Sequence, residues 1–233
     1  MTSRSDNGSL VPLLPLMLAL LSGCGGNYAA LRMRPDLYPD YAALRAANTE
    51  GRDFSREIYD RKSRVSVFAI HGGDIEFSTS RLARAVAGSD FNLYLFNGWL
   101  GGDSWKLHVT AVHFDDPAAV ALSTSSLIAV SIHARADGGE RVCVGGADTR
   151  AVGETASGLL ASGFSVETPC RRTPGVDPRN IVNRAVEGGV QLELTPKLLA
   201  RLENSPAARM RFAGSVRDSL YRSLPAVQDG VLR

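Results

Sequence analysis

The stretch from Arg64 to Glu76, RVSVFAIHGGDIE, constrains the fold most strongly. It begins with a short run of apolar and β-branched residues from Val65 to Ile70, which only Ser66 interrupts. A run of this kind that ends at glycine predicts a strand buried on both faces, as in parallel sheets covered by helices. A histidine, two glycines and two carboxylates follow within the same stretch. Ligands bind beyond the carboxyl ends of the strands in open α/β sheets, so this loop is a candidate site.

Apolar strands alternate with amphipathic segments along most of the chain. Strands are predicted at 52–59, 65–70, 91–96, 107–114, 127–132, 141–145, 164–167 and 190–194. Helices are predicted at 80–87, 117–125, 148–162, 196–203 and 207–224, with shorter helical turns at 28–32 and 41–45. Thr79 is the expected N-cap of the helix at 80–87, and Gly88 its expected end. This order predicts a three-layer α/β fold, with a mostly parallel mixed sheet and helices on both faces.

The composition is that of an ordinary globular protein. The 233 residues are 44% hydrophobic and 21% charged, which suits one domain with a sizeable core. A formal net charge of +2 provides no strong field, so no nucleic-acid partner is expected. A polyanionic substrate would need a local basic patch.

The N-terminus has the pattern of a targeting segment. Residues 10–21 are an apolar run too short to span a bilayer, and the run leads into Ser22-Gly23-Cys24. Small residues before a cysteine at this place resemble the lipobox of bacterial lipoproteins, with an ordinary secretory signal as the alternative. The predicted organisation is a signal peptide at 1–23, a tether at 24–40, a single α/β domain at 41–226 and a tail at 227–233. Lipidation at Cys24 would anchor the protein to a membrane of the cell envelope, on its extracytoplasmic side.

Export also affects the other two cysteines. In an oxidising compartment Cys143 and Cys170 can form a disulfide, but they can equally remain unpaired, because Cys143 lies in an apolar strand. The distance between the two residues decides, and the sequence does not contain it. Neither has a second cysteine nearby, so both are poor metal ligands by spacing.

Two predicted strands end in histidine, at His71 and His133. Glu76 follows His71 by five positions, on a loop whose glycines allow both side chains to face one point. Two histidines and a carboxylate, with one position open to water, are the pattern of a catalytic zinc site. Asp74, three positions after His71, is the alternative carboxylate ligand. Histidines at strand ends also serve as structural hydrogen-bonding groups, so both roles stay open.

Glu193 is the candidate general acid and base. It lies in the apolar strand at 190–194, where a charged side chain is unfavourable unless it is paired or functional. A zinc ion would polarise a carbonyl and lower the pKa of bound water towards ~7. A second carboxylate would then be needed to carry the proton to the leaving nitrogen.

The remaining histidines and a pair of aspartates compete for roles in the site. His108 and His113 lie five positions apart on the predicted strand at 107–114, so they face opposite sides of it. At most one can then look into the site, and His113 lies nearer the carboxyl end. Asp115 and Asp116 are expected to form a turn or a helix cap.

Several blocks of the sequence resemble the poly-γ-glutamate hydrolase family of phage and bacterial proteins. They are VFAIHGGDIE at 67–76, LHVT at 107–110, HFDDP at 113–117, VSIH at 130–133, VGGAD at 144–148, NIVNR at 180–184 and GVQLELT at 189–195. They occur in family order between about Tyr41 and Leu224, over nearly all of the predicted mature chain.

The resemblance implies a zinc-dependent peptidase that has a carboxypeptidase-like α/β core and cleaves γ-glutamyl linkages. It assigns the zinc ligands to His71, Glu76 and His133 and the general acid/base role to Glu193. It also makes Asn183 and Arg184 candidates for binding a substrate carboxylate, which arginine holds through two parallel hydrogen bonds.

Two departures from the family pattern concern the shape of the site. The family pattern has Pro-Gly where this chain has Phe77-Ser78, and glycine where it has Ala134. The expected function is a membrane-tethered zinc hydrolase of γ-glutamyl bonds in an anionic polymer or peptide. An amidase acting on γ-glutamyl bonds of peptidoglycan and a non-catalytic lipoprotein that binds a polyanion are the alternatives.

Overall fold

The computed structural model describes Met1 and residues 34–226. The rest of the predicted signal peptide, Cys24, the helical turn at 28–32, most of the tether and the C-terminal tail lie outside the described residues. In the part that is described, no helix is both long and apolar enough to cross a membrane.

Strands and helices alternate through residues 34–226. The strands are β1 (Phe54–Tyr59), β2 (Val65–Gly73), β3 (Asn92–Gly98), β4 (Ile128–Ala134), β5 (Val142–Gly145), β6 (Val166–Glu167) and β7 (Gly189–Leu194). The α-helices are α1 (Tyr41–Ala47), α2 (Thr79–Ala87), α3 (Pro117–Thr124), α4 (Thr149–Ala161), α5 (Pro196–Asn204) and α6 (Pro206–Ser223). Two 3-10 helices cover Gly101–Leu107 and Ile181–Arg184.

The strands form one mixed sheet in the order β1-β3-β2-β4-β7-β5-β6. Strand β2 runs parallel to β3 and β4, and β4 runs parallel to β7. Strand β5 is antiparallel to β7 and parallel to β6, and β1 is antiparallel to β3 at the other edge. The carboxyl ends of β2, β4 and β7 therefore meet at one edge, which brings His71, His133 and Glu193 to the same side of the sheet.

Two hydrophobic clusters cover the two faces of the sheet. Alternate residues of β2 enter different clusters, with Val65, Val67 and Ala69 on one face and Phe68 and Ile70 on the other. The first face packs against α2, α4, α5 and α6, and the second against α1, α3 and the two 3-10 helices. Burying each large apolar side chain stabilises the fold by about 1.5–3 kcal/mol, which explains the continuous apolar run. The predicted three-layer α/β fold is confirmed.

The predicted strand at 107–114 is wrong. Its first residue ends a 3-10 helix, residues 108–110 have no regular structure, and residues 111–113 form a turn. The apolar alternation is real, because Leu107, Val109 and Phe114 are buried in the second cluster. However, β2 and β4 already have neighbours on both sides, so the sheet offers this segment no central position.

Local capping explains the helix ends next to the site. Thr79 is the first residue of α2 and not its cap, and the preceding Ser78 has a left-handed φ of 71°. The Thr79 hydroxyl instead donates to the Glu76 carbonyl at 2.7 Å. Gly88 ends the helix with a φ of 55°, as predicted. Asp116 caps α3 by accepting a backbone N–H of its first turn at 2.9 Å, which confirms the expected cap.

Candidate metal site and catalytic cavity

A tight turn after β2 folds Glu76 back onto His71. The Glu76 backbone N–H donates to the His71 carbonyl at 2.8 Å, which closes the turn. Gly73 has a left-handed φ of 64°, and a Cβ atom there would lie 2.4 Å from the carbonyl oxygen of Gly98. Only glycine satisfies both conditions without strain, since other residues avoid this conformation. The His-Gly-Gly sequence thus allows two side chains five positions apart to meet.

Two histidines and one carboxylate converge at the edge of the sheet. His71 Nδ1 lies 3.1 Å from Glu76 Oε1 and 3.2 Å from His133 Nδ1. His133 Nδ1 lies 3.6 Å from Glu76 Oε2. The three residues are buried, and each offers one ligand atom within 4.8 Å of the others.

The hydrogen bonds of His71 decide which of its nitrogens faces this cluster. His71 Nε2 lies 2.9 Å from the Val109 carbonyl oxygen, and a carbonyl can only accept, so Nε2 carries the hydrogen. In the neutral ring Nδ1 then presents a lone pair to Glu76 and His133. Several electron-rich atoms facing one another in a buried space require a cation between them, either a proton or a metal ion. Both nitrogen and carboxylate oxygen are zinc ligands, so the donor set fits a zinc ion.

The electrostatics of the site keep Glu76 ionised. When the cation between these groups is a proton, burial alone would raise the pKa of Glu76, but the charge of His71 and the hydrogen bonds with both histidines outweigh burial and hold that pKa well below its ordinary value. The Ala134 backbone N–H also donates to Glu76 Oε2 at 2.9 Å and orients the carboxylate. Burial likewise would lower the pKa of His133, yet its hydrogen bond with Glu76 and the negative charges of Glu76 and Glu193 together outweigh this effect and raise it. His133 Nε2 is buried and has no hydrogen-bond partner within the described residues.

The alternative carboxylate ligand, Asp74, lies away from the two histidines. It is exposed, and its backbone N–H donates to the Gly98 carbonyl at 2.9 Å. The turn therefore brings Glu76 and not Asp74 to His71 and His133. Ligation of a metal by these three residues stays a prediction.

Glu193 lies beside this cluster on β7. It is the register partner of His133 on β4, and Gln191 shares its face of the strand. Gln191 Nε2 donates to Glu193 Oε1 at 2.9 Å, and Asn180 Nδ2 fixes Gln191 by donating to its Oε1 at 2.7 Å. Burial raises the pKa of Glu193 to about 7, while the charges of His133 and Glu76 act in opposite directions on it. A carboxyl group with this pKa exchanges its proton near neutral pH.

These groups open into one cavity of about 920 Å³. Its ionisable lining residues are His71, Glu76, His108, His133, Arg135, Asp137, Arg172, Asp177 and Glu193. A cavity of this size that combines convergent polar groups with a strongly perturbed carboxyl group is typical of an active site.

Comparison with known proteins identifies the family of the chain. The profile of the poly-gamma-glutamate hydrolase family matches residues 38–211. The chain belongs to the poly-gamma-glutamate hydrolase family. It is 31% identical over 163 residues to the UPF0714 protein YndL of Bacillus subtilis (strain 168), covering 69% of this chain and 64% of YndL. It is 32% identical over 173 residues to the SPbeta prophage-derived UPF0714 protein YoqZ of the same strain, covering 73% of this chain and 62% of YoqZ. The chain thus spans less than two thirds of the length of these two relatives.

Two solved structures share the fold. A bacteriophage poly-gamma-glutamate hydrolase superimposes with a TM-score of 0.77 at 30% identity, covering 81% of this chain and 98% of the other. The zinc-free form of YndL superimposes with a TM-score of 0.70 at 28% identity, covering 81% of this chain and 96% of the other. The family predicted from the sequence blocks is therefore confirmed.

In this member of the poly-gamma-glutamate hydrolase family a disulfide holds one wall of the cavity. Cys143 of β5 is joined to Cys170, with their Cα atoms 5.3 Å apart. Cys170 begins the loop that carries Arg172, whose Nη1 donates to Asp137 Oδ1 at 2.6 Å. The pairing that the sequence left open is thus present, and it ties this loop to the sheet.

The predicted substrate-binding residues Asn183 and Arg184 do not line the cavity. Asn183 Nδ2 donates to the carbonyls of Gly175 and Asp177, at 2.6 and 2.8 Å, and so positions a loop that does line it. Among the described residues, the Arg184 side chain donates to the Arg179 carbonyl, at 3.4 Å. A direct contact of either residue with substrate stays a prediction.

His108, and not His113, is the further histidine of the cavity. Its ring stacks on His71, with the centroids 4.0 Å apart and the planes inclined by 28°. His113 is exposed. One of the two histidines enters the cavity, as expected, but the regular strand that placed His113 nearer its carboxyl end was wrong, because the chain forms a 3-10 helix and a turn there. Sequence analysis also missed Arg135 and Arg172 of the cavity lining, which no local motif distinguishes from surface arginines.

Proposed function

We propose that the protein is a zinc-dependent hydrolase of γ-glutamyl amide bonds in poly-γ-glutamate or a related acidic polymer. The observation that carries the proposal is the convergence of His71, Glu76 and His133 beside a buried carboxyl group, Glu193, whose pKa is raised to about 7. Membership of the poly-gamma-glutamate hydrolase family supports the reaction class.

His71, Glu76 and His133 would hold the metal. When bound, zinc supplies a Lewis acid that polarises the scissile carbonyl and makes water a better nucleophile at neutral pH. Two of these ligands also make a hydrogen bond to a backbone group that fixes their orientation. The Val109 carbonyl orients His71, and the Ala134 N–H orients Glu76. Such outer partners set ring orientation and ligand basicity in metal sites generally.

Glu193 would move the proton. Its Oε1 accepts a hydrogen bond from Gln191, so the proton of the neutral acid resides on Oε2. A carboxyl group with a pKa near 7 can accept a proton from the attacking water and then deliver it to the leaving nitrogen. Asn180 contributes by fixing Gln191 and hence the proton position.

The cavity also contains basic groups. Arg135 and Arg172 line it and both pair with Asp137; Arg135 is buried, whereas the Arg172 side chain stays 58% exposed. Every residue of a γ-linked glutamate polymer carries a free α-carboxylate, and arginine is suited to bind such groups. The arginines thus support an anionic polymer or peptide as substrate.

The cellular site of action is a further part of the proposal. Cleavage before Cys24 and lipidation of this residue would anchor the hydrolase to the extracytoplasmic side of a membrane. Membrane fractionation of cells that express the wild-type chain or Cys24→Ala tests this. The wild type should sediment with membranes and the variant should not, and equal distribution of the two would refute the lipid anchor.

The reaction is tested by metal content and by cleavage of poly-γ-glutamate. The purified wild type should contain zinc and shorten the polymer, as followed by size-exclusion chromatography. Glu193→Gln should keep the zinc and lose activity by about 10²–10⁴-fold, the usual contribution of a general acid and base. Glu187→Gln, which removes an exposed carboxylate just before β7, is the matched control and should stay fully active.

The outcomes distinguish the alternatives. A protein that binds no zinc, or a Glu193→Gln variant as active as wild type, would refute the mechanism. Zinc-dependent cleavage of peptidoglycan γ-glutamyl bonds, with none of the polymer, would replace the substrate but keep the chemistry. Tight binding of poly-γ-glutamate without any cleavage would favour the non-catalytic lipoprotein.

A further inference from the structure

Arg34 and Asp36 contact residues next to the candidate metal site although they precede the region that the family profile matches, 38–211. The guanidinium group of Arg34 lies 4.2 Å from the centre of the Trp105 ring, in the 3-10 helix at 101–107. This contact holds the segment beside the residues that follow that helix. The sequence predicted a tether here, whereas the structure places Asp36 within hydrogen-bond distance of a residue of the cavity lining.

The Asp36 carboxylate binds two residues of the irregular segment 108–110. His108 Nδ1 donates to its Oδ1 at 2.6 Å, and the Thr110 backbone N–H donates to its Oδ2 at 2.7 Å. Burial alone would raise the pKa of Asp36, but the bonds from His108 and Thr110 lower it to about 2, so it is ionised at neutral pH. Hydrogen bonds to a charged acceptor are roughly twice as strong as neutral ones.

The residue between these two contacts orients a predicted metal ligand. Val109 lies between His108 and Thr110, and its carbonyl accepts the hydrogen bond from His71 Nε2 at 2.9 Å. Asp36 therefore binds the residue on each side of the carbonyl that holds His71. The His108 ring, fixed by Asp36, also stacks on the His71 ring at 4.0 Å.

Segment 108–110 needs support of this kind. It belongs to no helix or strand, so no ladder of backbone hydrogen bonds fixes the direction of the Val109 carbonyl. The Asp36 carboxylate supplies two bonds in place of that ladder. A loosened segment would let the His71 ring turn, and ring orientation determines where its Nδ1 lone pair points.

We propose that Asp36 is a positioning residue of the metal site, which fixes the Val109 carbonyl and the His108 ring against His71. The proposal rests on the proposed function only in taking His71 as a metal ligand. It makes Asp36 part of the support of the metal site in this chain.

The test measures metal affinity and not only activity. Asp36→Asn keeps the shape of the side chain but leaves one acceptor oxygen for two donors. The zinc dissociation constant, measured by competition with a chromophoric chelator, should rise by about 10-fold, the low end for an outer partner of a metal ligand. The visible absorption band of the cobalt(II)-substituted protein should also change, because it reports ligand geometry. Asp103→Asn removes an exposed carboxylate from the adjoining 3-10 helix and should leave both readouts unchanged.

Each outcome decides the question. An Asp36→Asn variant with the wild-type zinc affinity and cobalt spectrum would overturn the inference alone. Failure of the wild type itself to bind metal would overturn the proposed function as well. If Asp36→Asn does not fold, His108→Phe serves instead, because it keeps a ring over His71 and the bond between Asp36 and Thr110. Its zinc affinity should also fall, and an unchanged value would overturn the inference.

Discussion

Replacing Glu193 by glutamine should stabilise the metal-free protein at neutral and alkaline pH. Glu193 is buried, and its pKa is raised from an ordinary 4.5 to about 7. The folded state therefore binds the proton more tightly than the unfolded chain. As the pH rises above the ordinary pKa, the unfolded state ionises first, and stability falls until the pH exceeds the folded-state pKa.

The size of the effect follows from the size of the pKa shift. A rise from 4.5 to about 7 corresponds to about 3 kcal/mol of stability lost between acid and alkaline pH. For a domain of 150–250 residues this amounts to about 6–12 °C in melting temperature. Glutamine does not titrate, and its side-chain oxygen can still accept the hydrogen bond from Gln191. The variant should therefore equal the wild type below the unfolded-state pKa, at about pH 3.5, exceed it by about 1 kcal/mol at about pH 5, and exceed it by about 3 kcal/mol at about pH 8.

The assay is urea unfolding of chelator-treated protein at a series of pH values, with the disulfide kept oxidised. The free energy of unfolding of Glu193→Gln minus that of the wild type is plotted against pH. Glu187→Gln controls for the loss of one negative charge and should give a small difference at every pH. A difference for Glu193→Gln that does not vary between about pH 5 and pH 8 would show that burial does not perturb this carboxyl group.

Two further predictions concern the walls of the site. Gly73→Ala forces a Cβ atom to within 2.4 Å of the Gly98 carbonyl oxygen at a left-handed φ, so we expect a loss of about 1–3 kcal/mol in thermal unfolding. Its control, Gly153→Ala, adds a methyl group with nothing within 4 Å inside α4 and should stabilise the protein by about 0.5–1 kcal/mol; equal effects of the two substitutions would contradict the steric argument. Replacing Cys143 and Cys170 together by alanine opens a link between residues 27 positions apart, which should lower the free energy of unfolding by about 3 kcal/mol. Denaturant curves of this double variant and of the reduced wild type should agree, and a variant as stable as the oxidised wild type would show that the disulfide adds nothing.

The layers of the fold could be predicted because buried strands appear in the sequence as short runs of apolar residues. The run from Val65 to Ile70 is apolar at every position but one, and its alternate side chains enter the two clusters on opposite faces of the sheet. The strand at 107–114 failed because apolar alternation records burial and not pairing. Its apolar residues are buried as expected, but β2 and β4 already have neighbours on both sides, so the sheet had no central position to receive them.

The choice between Asp74 and Glu76 shows a similar limit. Both carboxylates follow His71 on one loop, and spacing alone allows either to face the histidine. The turn decides, because a backbone bond from Glu76 to His71 closes it and leaves Asp74 exposed. That outcome depends on the close approach of Gly73 to Gly98 on the neighbouring strand β3, which is a tertiary contact.

The sequence by itself determined the family, through the blocks that resemble it, and the α/β layering. It also determined the two strand ends that carry His71 and His133, because an apolar strand and the polar residues that follow it are neighbours along the chain. The family resemblance already favoured Glu76, and the tertiary structure places it against the two histidines; only the tertiary structure decided that His108 and not His113 lines the cavity and that Cys143 meets Cys170. It alone brought Asp36 to His108, across 72 positions of the chain. Such contacts depend on distances and directions between segments far apart in the chain, and no local pattern of residues encodes them.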